Sequence, residues 1–169
     1  MSGTRPADGR GVALAAVAVA AVVAVLAAAL GAVATMRASH RHAVDDAATA
    51  ALGAATTGVV TVLSYDYRHL NQDFSRAEAL LTPTFRKRYD QTTARAVRLL
   101  AAKYHAISSA TVSAAGGVEA STDRAVVLAF VDQTVTNTQL AQPRLDRSRI
   151  KITLVHEGGR WLIDNLVPV

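Results

Sequence analysis

Between Gly11 and Met36 the chain runs for 26 positions without Asp, Glu, Lys, Arg or His; twelve of these residues are Ala, seven Val and three Leu. Such a run is helix-competent, and at 1.5 Å rise per residue it reaches about 39 Å, enough to cross the ~30 Å hydrocarbon core of a bilayer with tilt. Polar residues return at Arg37. Val44, Ala47, Ala51, Ala55, Val59 and Val62 then recur at three-to-four spacing, which predicts an Ala-rich amphipathic helix through Leu63 that continues the apolar one. Leu70, Phe74, Ala77 and Leu81 predict a short second helix. Thr82-Pro83 starts a third, with Thr82 as N-cap and Pro83 at the first helical position, where its missing N–H is not needed. Phe85, Tyr89, Thr92, Ala96, Leu99 and Leu100 form the expected inner face of that helix, which ends near Tyr104.

From Ile107 the period drops to two and β-branched residues dominate, so the last third is expected to be sheet. Ala110, Val112 and Ala114 alternate in a first strand, with turns expected at Gly116-Gly117 and at Ser121-Thr122-Asp123. Arg124 to Asn137 is a long second strand. Its Val126, Leu128 and Phe130 share one face; Ala125, Val127, Ala129, Val131 and Val135 share the other. The closing hairpin turns at Gly158-Gly159, a two-residue type I′ signal. That turn sets a register in which Glu157 opposes Arg160, Leu154 opposes Ile163, Ile152 opposes Asn165 and Ile150 opposes Val167. Three helices followed by about four strands describe an α+β domain: a cone in which helices pack on a curved four-stranded antiparallel sheet. The expected organisation is a short cytoplasmic tail (1–10), a transmembrane helix (11–36), a juxtamembrane stretch with the first domain helix (37–64), and the remainder of the cone (65–169).

Composition narrows the picture. The chain has 169 residues, 18 basic against 13 acidic side chains and no cysteine. After the apolar run only one core's worth of chain remains, and the missing cysteines exclude disulfides and thiolate metal sites. Arg5, Arg10 and the small-residue stretch Ala32-Val33-Ala34 also suit a cleaved signal peptide, but the apolar run is longer than the ~7–15 residues of such peptides. Arg37 and Arg41 after the run balance Arg5 and Arg10 before it, so charge leaves orientation open. A tail inside and a domain outside is the simpler arrangement. His40, His42, His69, His105 and His156 show no metal-helix spacing, and no glycine-rich phosphate loop or nucleophilic triad is visible, so no metal or cofactor is expected. Five Lys or Arg between Arg86 and Arg98 are interrupted by Asp90, and aromatics make up only 5% of residues, which argues for a solvated helix face and against nucleic acid.

Tyr65-Asp66-Tyr67-Arg68-His69-Leu70, Phe85-Arg86-Lys87-Arg88-Tyr89, the strand Phe130 to Asn137, Arg144-Leu145-Asp146-Arg147-Ser148-Arg149 and the ending Gly159-Arg160-Trp161-Leu162-Ile163 occur in that order behind one N-terminal span. Together they resemble the Mce-associated membrane proteins of actinobacteria. The resemblance implies a single-pass protein of the cell membrane with an extracytoplasmic domain of the nuclear-transport-factor-two-like fold. It also implies a non-catalytic accessory role beside a Mce-type lipid import complex, with the bilayer and subunits of that complex as partners. Two further readings share this layout: a small-molecule or lipid-binding cone, which requires an open apolar pocket of roughly 300 Å³ or more, and an assembly factor of type IV secretion.

Cone folds of this superfamily include enzymes with a carboxylate base, a role for which Asp66, Asp132 and Asp164 are the candidates here, beside Tyr65, Tyr67 and Tyr89. Nothing in their spacing joins a carboxylate to an oxyanion donor, and no catalytic residue is assigned. Tyr65, Asp66, Tyr67 and Asp132 remain as candidate cone-rim or partner contacts, and for Asp132 the favoured role is structural, capping a neighbouring backbone group or meeting Arg147 or Arg149.

Overall fold

The computed structural model describes the backbone of residues 9–169 and the side chains of residues 30–169 except Val33, Ala34 and Thr92. The expected tail therefore lies largely outside the described residues, as do most side chains of the expected span. Helix α1 covers Gly9–Leu63, so the amphipathic segment does continue the apolar one. The chain divides into two compact units, Met1–His42 and Ala43–Val169. Within the described side chains, Leu30–Leu63 is long and apolar enough to cross a membrane. Its second half, however, belongs to the domain core, where Ala51, Ala55, Val59 and Val62 are buried.

The domain continues with β1 (Tyr65–Asp66), α2 (Leu70–Glu78), α3 (Pro83–Tyr89), a π-helical segment (Asp90–Ala94) and α4 (Arg95–Tyr104). Strands β2 (Ile107–Ala120), β3 (Arg124–Thr136), β4 (Arg144–Glu157) and β5 (Arg160–Pro168) follow. The sheet is an antiparallel meander in the order β1-β2-β3-β4-β5. It has five strands where four were expected. The extra one is only two residues long, too short to show a period; Tyr65 pairs with Ser108 and Asp66 with Ile107.

Helices cover one face of the sheet. Val59, Phe74, Ala77, Leu81, Tyr89 and Ala94 meet Val127, Ala129, Val131, Ile152, Leu154 and Ile163 in one core cluster. The small side chains at Ala125 and Ala129 on β3, both buried, let the helices approach closely. At Gly58 the approach is closest: a Cβ there would lie 2.7 Å from Ile163 Cδ1. The carbonyl of Leu63 at the end of α1 accepts from Ser108 Oγ at 2.7 Å and Gln133 Nε2 at 3.3 Å. These bonds tie the helix terminus to β2 and β3 and replace partners the helix itself cannot supply.

Three local expectations are corrected. Gly116-Gly117 is not a turn: both residues pair within the β2–β3 ladder, opposite Leu128 and Val127, between two register shifts. The turn is made by Ser121 to Asp123 alone, where Ser121 Oγ donates to Asp123 Oδ1 at 2.7 Å and the Arg124 amide donates to Ser121 Oγ at 3.1 Å. The closing hairpin follows the expected pairs from Glu157–Arg160 to Leu154–Ile163, with Gly158 and Gly159 both at positive φ. Beyond them a bulge at Asp164 shifts the register, so Ile152 opposes Leu166 and Ile150 opposes Pro168. The extra residue returns Leu166 to the helix side and removes the break that Asn165 would have made there.

The third correction concerns the long helix. Thr82 caps it as expected, accepting from the Phe85 amide at 3.2 Å with Pro83 in the first turn. Its middle is a π-turn, which steps five residues between successive inward positions where an α-helix steps three or four. From Phe85 to Ala101 the buried or half-buried apolar positions accordingly run Phe85, Tyr89, Ala94, Val97, Ala101. Leu99 and Leu100 are left 69% and 55% exposed, and Ala96 faces solvent with them.

Candidate functional site

The four candidate contact residues fall on opposite sides of the sheet. Residues directly opposite in a ladder share a face. Tyr65 pairs with buried Ser108 and so lies on the helix side, whereas Asp132 pairs with exposed Thr111 on the outer side. Tyr65 and Asp132 cannot share a site; Asp66, the next residue of β1, pairs with Ile107 and so takes the same face as Asp132.

On the helix side, Tyr65 stacks on Phe74 with ring centroids 6.1 Å apart, and its burial raises the phenol pKa while nearby Arg144 lowers it. The Asp66 amide donates to Asp73 Oδ2 at 2.8 Å. The Asp66 carboxylate accepts from Arg68 Nε and from the Arg68 amide, each at 2.9 Å. Hydrogen bonding from Arg68 holds that carboxyl at about 2, the wrong direction for a base or acid working near neutrality. Tyr67 stacks on His105 at 4.7 Å, and His105 closes α4 in the left-handed conformation. Around Tyr65 and Asp66 lies a polar depression of about 420 Å³ that also takes in Ser64, Asp73, Arg76 and Ser109. On the outer side, Asp132 Oδ1 lies 3.5 Å from Arg147 Nε, in a shallow depression of about 680 Å³ beside Phe130, Arg149 and the C-terminal Pro168-Val169.

A third concavity was not foreseen. A half-open groove of about 470 Å³ runs between the end of α1, the α3–π junction and strands β4 and β5. Val62, Leu63, Phe85, Tyr89, Ile150, Leu166 and Pro168 form its walls, with Arg88 and Thr93 also lining it; among the described residues no carboxylate does. The Tyr89 hydroxyl donates to the Val62 carbonyl at 3.4 Å, and burial with nearby Glu78 raises its pKa to about 12. Arg88 sits with its guanidinium 5.3 Å from the Phe85 ring centroid and donates to the Asp164 carbonyl at 3.1 Å. The Asp164 carboxylate is turned to Thr82, whose hydroxyl donates to Oδ1 at 3.0 Å. The i, i+4 pair Phe85 and Tyr89 was legible as an inward helix face. Leu166 was not, because only the bulge at Asp164 turns it inward.

Asp66 and Asp164, two of the carboxylates weighed as bases, are thus committed to Arg68 and Thr82, and Asp132 to Arg147. Among the described residues no group of three or more His, Asp or Glu side chains is arranged to hold a metal ion.

Comparison with known proteins matches residues 14–167 to the family described as uncharacterized protein Rv1363c/MT1408-like. The chain belongs to that family. Two Mycobacterium tuberculosis relatives are similar over 100 residues, or 59% of this chain. One, named outer membrane protein Rv1973, is 40% identical with 62% of its length covered; the other, uncharacterized protein Rv1362c, is 38% identical with 46% covered. The chain therefore matches less than two thirds of either relative. Solved structures with the same fold include an IcmL-like type IV secretion system protein from Legionella pneumophila (TM-score 0.57, 10% identity, 70% of this chain and 90% of that one). The periplasmic domain of DotI is a second (0.57, 12%, 72% and 94%), and CagV, a VirB8 homologue from Helicobacter pylori, a third (0.55, 9%, 72% and 97%). At these identities the likeness establishes the fold alone: helices on one face of an antiparallel sheet.

Proposed function

We propose that this Rv1363c/MT1408-like protein is a membrane-anchored, non-catalytic assembly component of a cell-envelope machine, with its domain on the extracytoplasmic side. The observation that carries this reading is the domain's construction. Its interior is filled by its own side chains, from Val59 and Phe74 to Ile152, Leu154 and Ile163. Its candidate carboxylates are engaged by Arg68, Arg147 and Thr82. A domain built this way offers surfaces, not a reaction centre.

The ordered resemblance to Mce-associated proteins nominates a Mce-type lipid importer as the machine, and the bilayer together with importer subunits as the partners. The three structural neighbours favour a second reading, in which the domain helps to assemble a secretion channel; fold likeness alone does not choose between them. Purification of the tagged full chain from gently solubilised native membranes separates the two. Recovery of Mce subunits at stoichiometric yield supports the first reading, and recovery of secretion-channel components supports the second. A chain that elutes alone from crosslinked membranes removes the assembly role altogether.

A further inference from the structure

We propose that the groove between the end of α1, the α3–π junction and strands β4 and β5 binds the alkyl chain of an anionic amphiphile, with Arg88 meeting its acidic head. The site goes beyond the assembly role and does not depend on it.

The groove's volume of about 470 Å³ falls within the range of small-molecule sites. Its walls are aliphatic or aromatic, and the hydroxyl of Tyr89, which is mostly buried, points to the Val62 carbonyl. With that hydroxyl engaged, Arg88 and Thr93 are the polar side chains left in a lining that is otherwise apolar, so what fits is an apolar body with a small polar head. The head is selected by charge. Arg88 lines the groove, exposed Arg86 and Lys87 neighbour it on the same short helix, and among the described residues that form the lining there is no carboxylate. The Arg88 guanidinium rests over Phe85 and against the Asp164 carbonyl. A delocalised, weakly hydrated cation held in this way pairs with a carboxylate or phosphate at low desolvation cost. The π-turn borders the same groove through Tyr89 and Thr93, and single π-turns within helices are frequent at functional sites.

A free fatty acid and the acyl tail of an acidic phospholipid share this chemistry, and photolabelling distinguishes them. The full chain is placed in phosphatidylcholine nanodiscs and irradiated with a diazirine-bearing palmitic acid, with the matching diazirine alcohol, or with a diazirine phosphatidylglycerol built into the disc. Adducts are mapped by peptide mass spectrometry. Label on residues 85–93 and on the peptide holding Ile150 or Leu166 is expected from the acid or from the phosphatidylglycerol, and the reagent that gives it identifies the source. The acid should label these peptides about fivefold more than the alcohol, the scale of one exposed charge contact. Arg88→Gln should bring acid and alcohol to parity, whereas Arg88→Lys, which keeps the charge but not the guanidinium bond to the Asp164 carbonyl, should retain the preference; parity in both variants would trace the effect to the loosened bulge and overturn the proposal. Leu166→Trp should occlude the groove and remove these adducts while those in residues 11–36 persist. Label confined to residues 11–36 with every reagent, or equal labelling of the groove by acid and alcohol in the native chain, overturns the proposal.

Discussion

At the scale of single residues, two glycines on one helix have opposite roles. Gly53 faces solvent with nothing within 4 Å of a would-be Cβ, whereas a Cβ at Gly58 meets Ile163 Cδ1 at 2.7 Å. Gly53→Ala should therefore stabilise the domain by roughly 0.5–1 kcal/mol, the helix-propensity difference. Gly58→Leu should destabilise it by about 1–3 kcal/mol through overpacking against a buried strand. Thermal melts of the two variants beside the native chain read both signs. Asp66 gives a pH signature. Its folded-state pKa, about 2, lies below the ordinary value of 3.8, chiefly because Arg68 hydrogen-bonds the ionised form. The stability it adds is thus present above pH 4 and lost as pH falls through 2. Denaturation of Asp66→Asn should fall short of the native chain at neutral pH and converge with it in that acid window; a constant gap across the window would contradict the assignment. Tyr65, Asp66, Tyr67 and Asp132 were visible in the sequence as residues of interest. The separation of Tyr65 from Asp132 onto two faces was not, because it depends on the register in which the two-residue β1 pairs with β2.

At the scale of elements, the π-turn decides what the long helix presents. The sequence places Phe85 and Tyr89 inward correctly. Extrapolation at the α-helical period then fails, since Ala94, Val97 and Ala101 take the inward positions and Leu99 and Leu100 turn outward. Nothing in Asp90-Gln91-Thr92-Thr93-Ala94 signals the extra residue locally. It is accommodated because it seats Ala94, fully buried, and keeps neighbouring Arg95 in solvent. Deleting exposed Gln91 makes Ala94 the fourth residue after Tyr89, so an α-helical step should replace the π-turn with Ala94 still inward, and the denaturant midpoint should stay close to the native one. A midpoint lowered by about 3 kcal/mol or more, the cost of an unpaired buried cation, would show that the five-residue step persists and carries Arg95 into the place of Ala94. The bulge at Asp164 is the strand counterpart. One added residue, held by Thr82 and Arg88, returns Leu166 to the inner side, and no alternation pattern reports it.

At the scale of the whole molecule, the anchor and its proposed topology make a direct expectation. The chain has no cysteine, so single replacements are clean reporters. Thr122→Cys, at an exposed turn of the domain, should react with an impermeant maleimide in intact cells, and Ser2→Cys only after the membrane is permeabilised. The reverse pattern would invert the topology, and two reactive sites would place both ends outside. The sequence by itself determined the long apolar helix, the α+β order, the inward stripe of α1 and α2, the Thr82-Pro83 start and the Gly158-Gly159 turn. Each of these is written in the spacing or chemistry of neighbouring residues. Tertiary structure alone decided the two-residue fifth strand, the π-turn and the bulge at Asp164, and with the last two the groove they border. The physical reason is common to all three: each involves only one or two residues outside a regular period, and it is stabilised by packing and hydrogen bonds to segments distant in the chain.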